Sequence, residues 1–279
     1  MRIIDFKTIK EAVKQLTISA IYDLDYDVVG KLEEGMHKEQ VKISQIVISE
    51  ILENAKIART KRIPMCQDTG VVVVFLEIGN LVHFDFLVED AINVGVEEAY
   101  KEELFRMSIV RHPLDRVNTF TNTPCIIHSK AIMGDKLKIT VCPKGAGSEN
   151  LSQMKMMIPS DGEEGVKKFI IDAVINAGGR VCPPMIVGIG IGGNFETSTK
   201  LAKEAVIRPI NDKSSDPIAR RLEEELLEEI NKTNIGPMGI GGKTTCLAVK
   251  VNVAPCHIAS LPVAINFQCH ASRHKEVIL

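Results

Sequence analysis

Residues 64–76 read Pro-Met-Cys-Gln-Asp-Thr-Gly-Val-Val-Val-Val-Phe-Leu, and the rest of the chain is organised around this stretch. A thiol, an amide, a carboxylate, a hydroxyl and a glycine stand between a basic helical segment and an apolar strand. Core packing does not require this mixture at the start of a strand. A metal site does, because it places a soft ligand such as a thiolate beside groups that form hydrogen bonds. The stretch therefore predicts a strand that begins at Val71 and a metal-binding loop before it, if other cysteines join Cys66.

Length and composition bound the class of protein. The chain has 279 residues and is 45% hydrophobic, which is enough for a sizeable core. Its net charge of -2, with no long basic run, argues against nucleic acid or an anionic membrane as a partner. The N-terminus lacks a signal-peptide pattern, and no apolar run reaches the roughly 18 residues that span a bilayer. A reducing cytoplasm is the expected compartment.

The cysteines carry the first chemical signal. In the cytoplasm, an odd number of cysteines without a CxxC pair disfavours a disulfide framework and favours metal or catalytic roles. Small buried hydrophobic residues are the alternative interpretation. The seven positions are Cys66, Cys125, Cys142, Cys182, Cys246, Cys256 and Cys269.

Three of these cysteines, Cys66, Cys182 and Cys269, lie in Pro-, Gly- or polar-rich surroundings, far apart in sequence. Four-cysteine zinc sites favour close pairs, which are absent here. Thiolates hold iron–sulfur clusters, and a cluster with three protein thiolates keeps one iron open for catalysis. Of the other four, Cys125 and Cys246 lie in or beside apolar strand segments and resemble core residues. Cys142 and Cys256 lie next to loops and remain candidate ligands.

Periodicity and turn residues predict a single α+β domain over residues 1–279, with a mixed β-sheet flanked by helices and the metal ligands on loops. Residues 1–61 are expected to be mostly helical. Further helices are expected over 88–104, 163–177, 195–207 and 215–231, and strands over 71–78, 125–128, 137–141 and 246–253.

Three glycine-containing segments allow more than one interpretation. Residues 144–150 form either an anion-binding nest or the start of a helix capped by Ser148 or Asn150. The GxGxxG match over 188–193 indicates a dinucleotide site only in a complete βαβ unit, so close packing of a strand on a helix, or close approach of a prosthetic group, is preferred. The segment over 236–245 resembles a phosphate loop but lacks its first glycine.

Six segments together resemble a known family. They are PMCQDTG, LFRMS, DRVNTFTNTP, KGAGSENLS, CPPMIVGIGIGG and APCHIASLPVAINFQCHASRH. In order, and over nearly the whole chain, they are similar to the α subunit, or N-terminal domain, of the iron–sulfur class I fumarases and L-tartrate dehydratases. The resemblance implies that Cys66, Cys182 and Cys269 hold a [4Fe-4S] cluster with one open iron.

The resemblance also implies substrate contacts. Gln67 and Asp68 are expected to face the substrate, and Arg106 to bind a carboxylate, with Arg111 and Arg116 as nearby competitors. His257 matches a histidine twelve residues before the last cysteine. Asp68 and His257 are the expected catalytic residues. The simpler alternatives are a turn or helix cap for Asp68, a core histidine for His257 and a surface ion pair for Arg106.

The glycine-rich loop of the family falls on residues 145–150, where Gly147 is expected to contact the substrate and Ala146 replaces a more usual glycine. The implied reaction is the reversible addition of water to fumarate, giving (S)-malate. Conversion of L-tartrate to oxaloacetate and a non-catalytic iron–sulfur subunit are the alternatives. Single-chain members continue into a second domain that carries a proposed base, so the resemblance implies a separate β subunit, a small dicarboxylate substrate and an α2β2 assembly.

Overall fold

The computed structural model describes residues 1–279, which divide into two compact units. The first unit consists of Met1–Leu24, Ala55–Ala146 and Arg273–Leu279, and the second of Asp25–Asn54 and Gly147–Ser272. Each unit has its own hydrophobic core. The predicted mixed α+β class is confirmed, while a single domain over 1–279 stays a prediction. None of the helices combines the length and the apolar character that crossing a membrane requires.

The helices agree closely with the predicted segments. They are α1 Phe6–Tyr22, α2 Tyr26–Lys38, α3 Lys42–Lys61, α4 Val88–Glu102, α5 Ala146–Glu149, α6 Gly162–Ala177, α7 Phe195–Ala205 and α8 Pro217–Lys232. Short 3-10 turns occupy Pro159–Asp161, Gly178–Val181 and Pro237–Gly239.

The strands are more numerous than the sequence predicts. They are β1 Arg2–Ile3, β2 Val71–Gly79, β3 Val82–His83, β4 Ile126–Ile132, β5 Leu137–Lys144, β6 Gln153–Met157, β7 Met185–Gly193, β8 Cys246–Cys256, β9 Leu261–Gln268 and β10 Lys275–Ile278. They form two mixed four-stranded sheets and one two-stranded sheet, where one mixed sheet was expected.

The sheet of the first unit has the strand order β10-β5-β2-β4. Strand β2 runs parallel to β4 and antiparallel to β5. Its four consecutive valines suit a strand, and Val72 and Val74 are completely buried. Residues of α1 and α4, including Ile9 and Ile92, join these valines in one core. The loop over 65–70 therefore leads directly into a buried strand.

The sheet of the second unit has the strand order β6-β9-β7-β8, with β7 parallel to β8 and antiparallel to β9. The glycines of β7 allow α7 to approach very closely. A Cβ atom on Gly188 would lie 2.3 Å from the carbonyl oxygen of Ala202, and one on Gly190 would lie 2.0 Å from that of Ser198. Close packing of a strand on a helix is therefore the role of these glycines.

Two further features of the second unit agree with the sequence analysis. The charged helix α8 buries Leu222, Leu226 and Ile230, spaced four residues apart, and leaves its acidic face to solvent. The segment that resembles a phosphate loop passes through the turn Pro237–Gly239 into strand β8. Because a phosphate loop is followed by a helix, this segment is not one.

Candidate functional site

The C-terminal half of the 65–70 loop is fixed by hydrogen bonds within the first unit. The Thr69 hydroxyl donates to the backbone oxygen of Arg106 at 2.6 Å. The Tyr100 hydroxyl donates to the backbone oxygen of Thr69 at 2.8 Å, and the Asn122 side-chain amide donates to that of Gly70 at 3.2 Å. Thr69 and Gly70 are buried. The loop is thus held against its own unit from three directions.

The middle of the same loop, after the buried Met65, is open. Cys66 and Gln67 are both exposed. The Arg106 side chain, whose backbone is held by Thr69, is also exposed and makes no ion pair. The surface-ion-pair interpretation of Arg106 is therefore wrong, and its guanidinium is available to an anion near the loop.

Asp68 has a structural role that is directly visible. Its Oδ1 accepts a hydrogen bond from the backbone N–H of Gly70 at 3.0 Å, and its Oδ2 accepts one from Ala146 at 2.7 Å. The second bond caps helix α5, so the cap is Asp68 and not Ser148 or Asn150. A carboxylate offers about four lone-pair positions, so two N–H groups fix its orientation and leave acceptor capacity for a ligand.

Replacing Tyr100 with phenylalanine is expected to loosen this loop. Tyr100 is completely buried, and burial raises the pKa of its hydroxyl, which therefore stays protonated as a donor to Thr69. Loss of this bond leaves a buried carbonyl short of a partner and should lower the free energy of unfolding by about 1–2 kcal/mol. Urea denaturation measures this change, and alkylation of Cys66 in metal-free protein should become faster. An unchanged free energy of unfolding would contradict the anchoring role.

The second unit brings the loops of Cys182 and Cys269 together. Strands β7 and β9 are antiparallel neighbours with Ile186 opposite Gln268, so the segment before β7 and the segment after β9 lie at the same edge. The backbone N–H of His270 donates to the carbonyl oxygen of Cys182 at 3.3 Å, and its ring Nδ1 lies 2.9 Å from the same oxygen. Both cysteines are half-buried, and Cys66 belongs to the first unit.

The remaining cysteines differ from these three in burial or in contacts. Burial raises the pKa of the Cys125 thiol to about 12, and that of Cys246 to about 12. Both thiols stay protonated at neutral pH and are poor ligands. Cys142 is completely buried in β5, while Cys256 is exposed at the end of β8 and its thiol donates to the Ser260 carbonyl at 3.3 Å. The structure thus agrees with the expected core character of Cys125 and Cys246.

The three cysteines outside the core are thiol donors on loops. Thiolates on loops are the ligands that iron–sulfur clusters take, and Cys66, Cys182 and Cys269 each lie outside the helices and strands. No three His, Cys, Asp or Glu side chains are arranged to hold a single metal ion. The thiol chemistry and the loop positions of these three donors fit the implied cluster.

His257 and Gly147 both lie at the surface. His257 is exposed in the turn between β8 and β9, where its Nδ1 accepts the Ala259 N–H at 3.1 Å. The core-histidine interpretation is wrong, and the neutral ring carries its proton on Nε2. The histidine lines an open pocket of about 440 Å³ in the second unit. Gly147 is exposed in α5, and a Cβ atom there would meet nothing within 4 Å.

Sequence reasoning missed several residues that shape this region. Tyr100 and Asn122 hold the 65–70 loop, but in the sequence they resemble an ordinary helix residue and a polar loop residue. Arg273 lies close to Asp68 and Gly145, within the first unit. Its signal was a charged residue four positions after Cys269, inside a motif that had already been singled out.

Known proteins are similar to this chain over nearly its whole length. A family model described as fumarate hydratase (fumerase) matches residues 10–278. A Methanocaldococcus jannaschii protein, provisionally named L(+)-tartrate dehydratase subunit alpha, is 44% identical over 272 residues, which is 95% of each chain. Proteins of Escherichia coli and Shigella sonnei named L(+)-tartrate dehydratase subunit alpha are each 30% identical over 273 residues, 96% of this chain and 90% of theirs.

These matches confirm the resemblance that the sequence motifs indicated. The family model includes every predicted site residue, from Cys66 to Cys269. The relatives align over at least 90% of their own length, so the likeness is not limited to one motif. The chain therefore belongs to the fumarate hydratase (fumerase) family of hydro-lyases.

Proposed function

We propose that the chain is the α subunit of a two-subunit iron–sulfur hydro-lyase, with L(+)-tartrate as its first substrate. The observation that carries this proposal is the near-complete alignment with proteins named L(+)-tartrate dehydratase subunit alpha. These relatives favour tartrate over the fumarate that the sequence motifs had suggested first. Fumarate remains the second candidate, supported by the description of the family model.

In this proposal Cys66, Cys182 and Cys269 hold a [4Fe-4S] cluster. The accessible loop positions of these thiols support the assignment, as does the contact between the Cys182 and Cys269 loops. When bound, the cluster supplies an open iron that acts as a Lewis acid toward the substrate hydroxyl. Cluster thiolates suit a reducing compartment, so a cytoplasmic location is part of the proposal.

The residues of the chain bind and orient the substrate. The exposed Arg106 guanidinium pairs with one carboxylate, and the exposed Gln67 amide fixes the orientation of the substrate. Asp68, held rigidly by two backbone N–H groups, accepts a hydrogen bond from the leaving hydroxyl, and the backbone N–H of Gly147 adds a further contact.

Dehydration removes a proton from one carbon and hydroxide from its neighbour. The Nε2 of His257 delivers a proton to the departing hydroxide, which leaves as water. We place the base that takes the carbon-bound proton on a β subunit, a partner that the naming of the relatives as α subunits implies. An α2β2 assembly is the arrangement we propose.

Anaerobic assays of the chain with its β partner test this function. We expect oxaloacetate to form from L(+)-tartrate, with kcat/KM at least about tenfold above that for hydration of fumarate, a difference of about 1.4 kcal/mol in activation free energy. The chain alone should be inactive. A preference for fumarate would select the second candidate. Full turnover by the chain alone would refute the need for a β subunit. Inactivity of the assembled protein on both substrates would refute the hydro-lyase proposal.

A further inference from the structure

Glu39 is a buried carboxylate that binds backbone N–H groups instead of a cation. It follows helix α2, is only 3% exposed and forms no ion pair. Its Oε2 accepts the N–H of Lys243 at 3.0 Å, and its Oε1 accepts the N–H of Thr244. Successive backbone N–H groups of this kind form an anion-binding nest. The segment that resembles a phosphate loop therefore does bind an anion, and the chain itself supplies it.

The 236–245 loop fits closely around this carboxylate. Gly242 has a φ of 127°, and a Cβ atom there would lie 2.8 Å from the Oε2 of Glu39. The Ser44 hydroxyl of helix α3 donates to the carbonyl oxygen of Gly241 at 2.8 Å. The end of α2 and the start of α3 therefore hold the loop in place through two polar side chains.

The same loop also contacts the backbone beside Cys182, within the second unit. The N–H of Met238 donates to the carbonyl oxygen of Pro183 at 2.8 Å. The N–H of Met185 donates to the carbonyl oxygen of Thr245 at 2.9 Å. The residues that follow Cys182 are thus held by both ends of the loop that Glu39 fixes.

Cys182 needs such support because its backbone is strained. Its φ of 59° and ψ of 62° lie in the left-handed region, which a residue with a Cβ atom adopts only at a cost in energy. Its N–H donates to the carbonyl oxygen of Gly179 at 3.0 Å, and its own carbonyl oxygen accepts the N–H of His270 at 3.3 Å. These bonds hold Cys182 itself, while the 236–245 loop holds the residues after it. A displaced loop would let this backbone relax and move the thiol.

We propose that Glu39 is a positioning residue for Cys182 and acts through the 236–245 loop. By filling the nest, Glu39 fixes the loop, and the loop stabilises the left-handed backbone that carries the thiol. Both carboxylate oxygens are engaged by backbone N–H groups, so the effect on Cys182 passes through the loop alone. The further step, that this places the thiol for a cluster, rests on the proposed function.

Hydrogen exchange followed by mass spectrometry tests this coupling on the full metal-free chain, with any subunit that co-purifies. Glu39→Ala should speed exchange over 178–186 and 236–245 by about 10- to 100-fold, as expected for the loss of hydrogen bonds to a charged group. Glu39→Gln should give a smaller increase, because its amide keeps one acceptor. After anaerobic reconstitution, the iron content should fall in the same order, with the alanine variant lowest.

Glu223 provides a matched control in the same unit. It is also buried, and its Oε1 and Oε2 accept the N–H groups of Val251 at 2.9 Å and Ser214 at 3.0 Å. Glu223→Ala should therefore lower the thermal midpoint, as Glu39→Ala does. Its exchange over 178–186 and its iron content should nevertheless stay at the wild-type level.

Three results would overturn the inference. They are unchanged exchange over 178–186 in Glu39→Ala, an equal increase there in Glu223→Ala, and wild-type iron content in Glu39→Ala despite faster exchange. If Glu39→Ala does not fold, Glu39→Gln decides the same comparison. A wild type that binds no iron would refute the proposed function, whereas faster exchange confined to 178–186 and 236–245 would still support the positioning of the Cys182 backbone by Glu39.

Discussion

Iron and sulfide contents should fall from about four of each per chain to below about one when Cys66, Cys182 or Cys269 is replaced by serine. A serine hydroxyl is a hard, protonated ligand that cannot replace a soft thiolate on iron. Hydro-lyase activity should fall with the iron content. Chemical analysis of anaerobically reconstituted protein, together with the broad visible absorbance of the cluster, measures the result.

The chain offers matched controls for these substitutions. Cys125→Ser and Cys246→Ser should keep their iron, because burial raises the pKa of each of these thiols to about 12 and keeps it protonated. The exposed Cys256→Ser controls for accessibility alone. If Cys125→Ser lost iron as badly as Cys66→Ser, the ligand assignment would be wrong. Absence of cluster absorbance in the reconstituted wild type would refute the cluster itself.

Much of the fold could be predicted because its signals are local. The valines of β2 and the four-residue spacing of apolar side chains in α8 appear within short windows of sequence. The division into two sheets could not be predicted in this way. Strand β10 has only four residues, two of them charged, and pairs with β5 more than 130 positions earlier, as in the pairing of Lys275 with Val141. Such pairing depends on tertiary contacts and has no local pattern.

The same distinction explains which parts of the site were found. Cys182 and Cys269 stood out because each lies next to residues that end or begin a strand. The capping of α5 by Asp68 joins segments 78 positions apart, and the approach of Arg273 to Gly145 depends on the pairing of β10 with β5. A motif can therefore indicate a ligand type, but it does not reveal which distant backbone group or charge surrounds that ligand.

Replacing Gly190 with alanine should destabilise the second unit severely. The added Cβ would lie 2.0 Å from the Ser198 carbonyl oxygen and 2.6 Å from the backbone nitrogen of Ala202. The clash is therefore with the backbone of α7, and a change of side-chain rotamer cannot relieve it. Helix α7 would have to shift away from β7 and open the core. Overpacking typically costs about 1–3 kcal/mol, and a backbone clash of this depth should cost about 3 kcal/mol or more. Urea denaturation measures the loss.

Gly30→Ala in helix α2 provides the control within the same unit. A Cβ atom there would meet nothing within 4 Å, so the substitution should leave stability unchanged or raise it by up to about 1 kcal/mol through improved helix propensity. Total stabilities of about 5–15 kcal/mol make the loss at Gly190 a large fraction of the whole. Because β7 begins three residues after Cys182, iron retention should fall in Gly190→Ala and persist in Gly30→Ala. Equal stability of the two variants would show that the packing of α7 on β7 does not require a glycine at position 190.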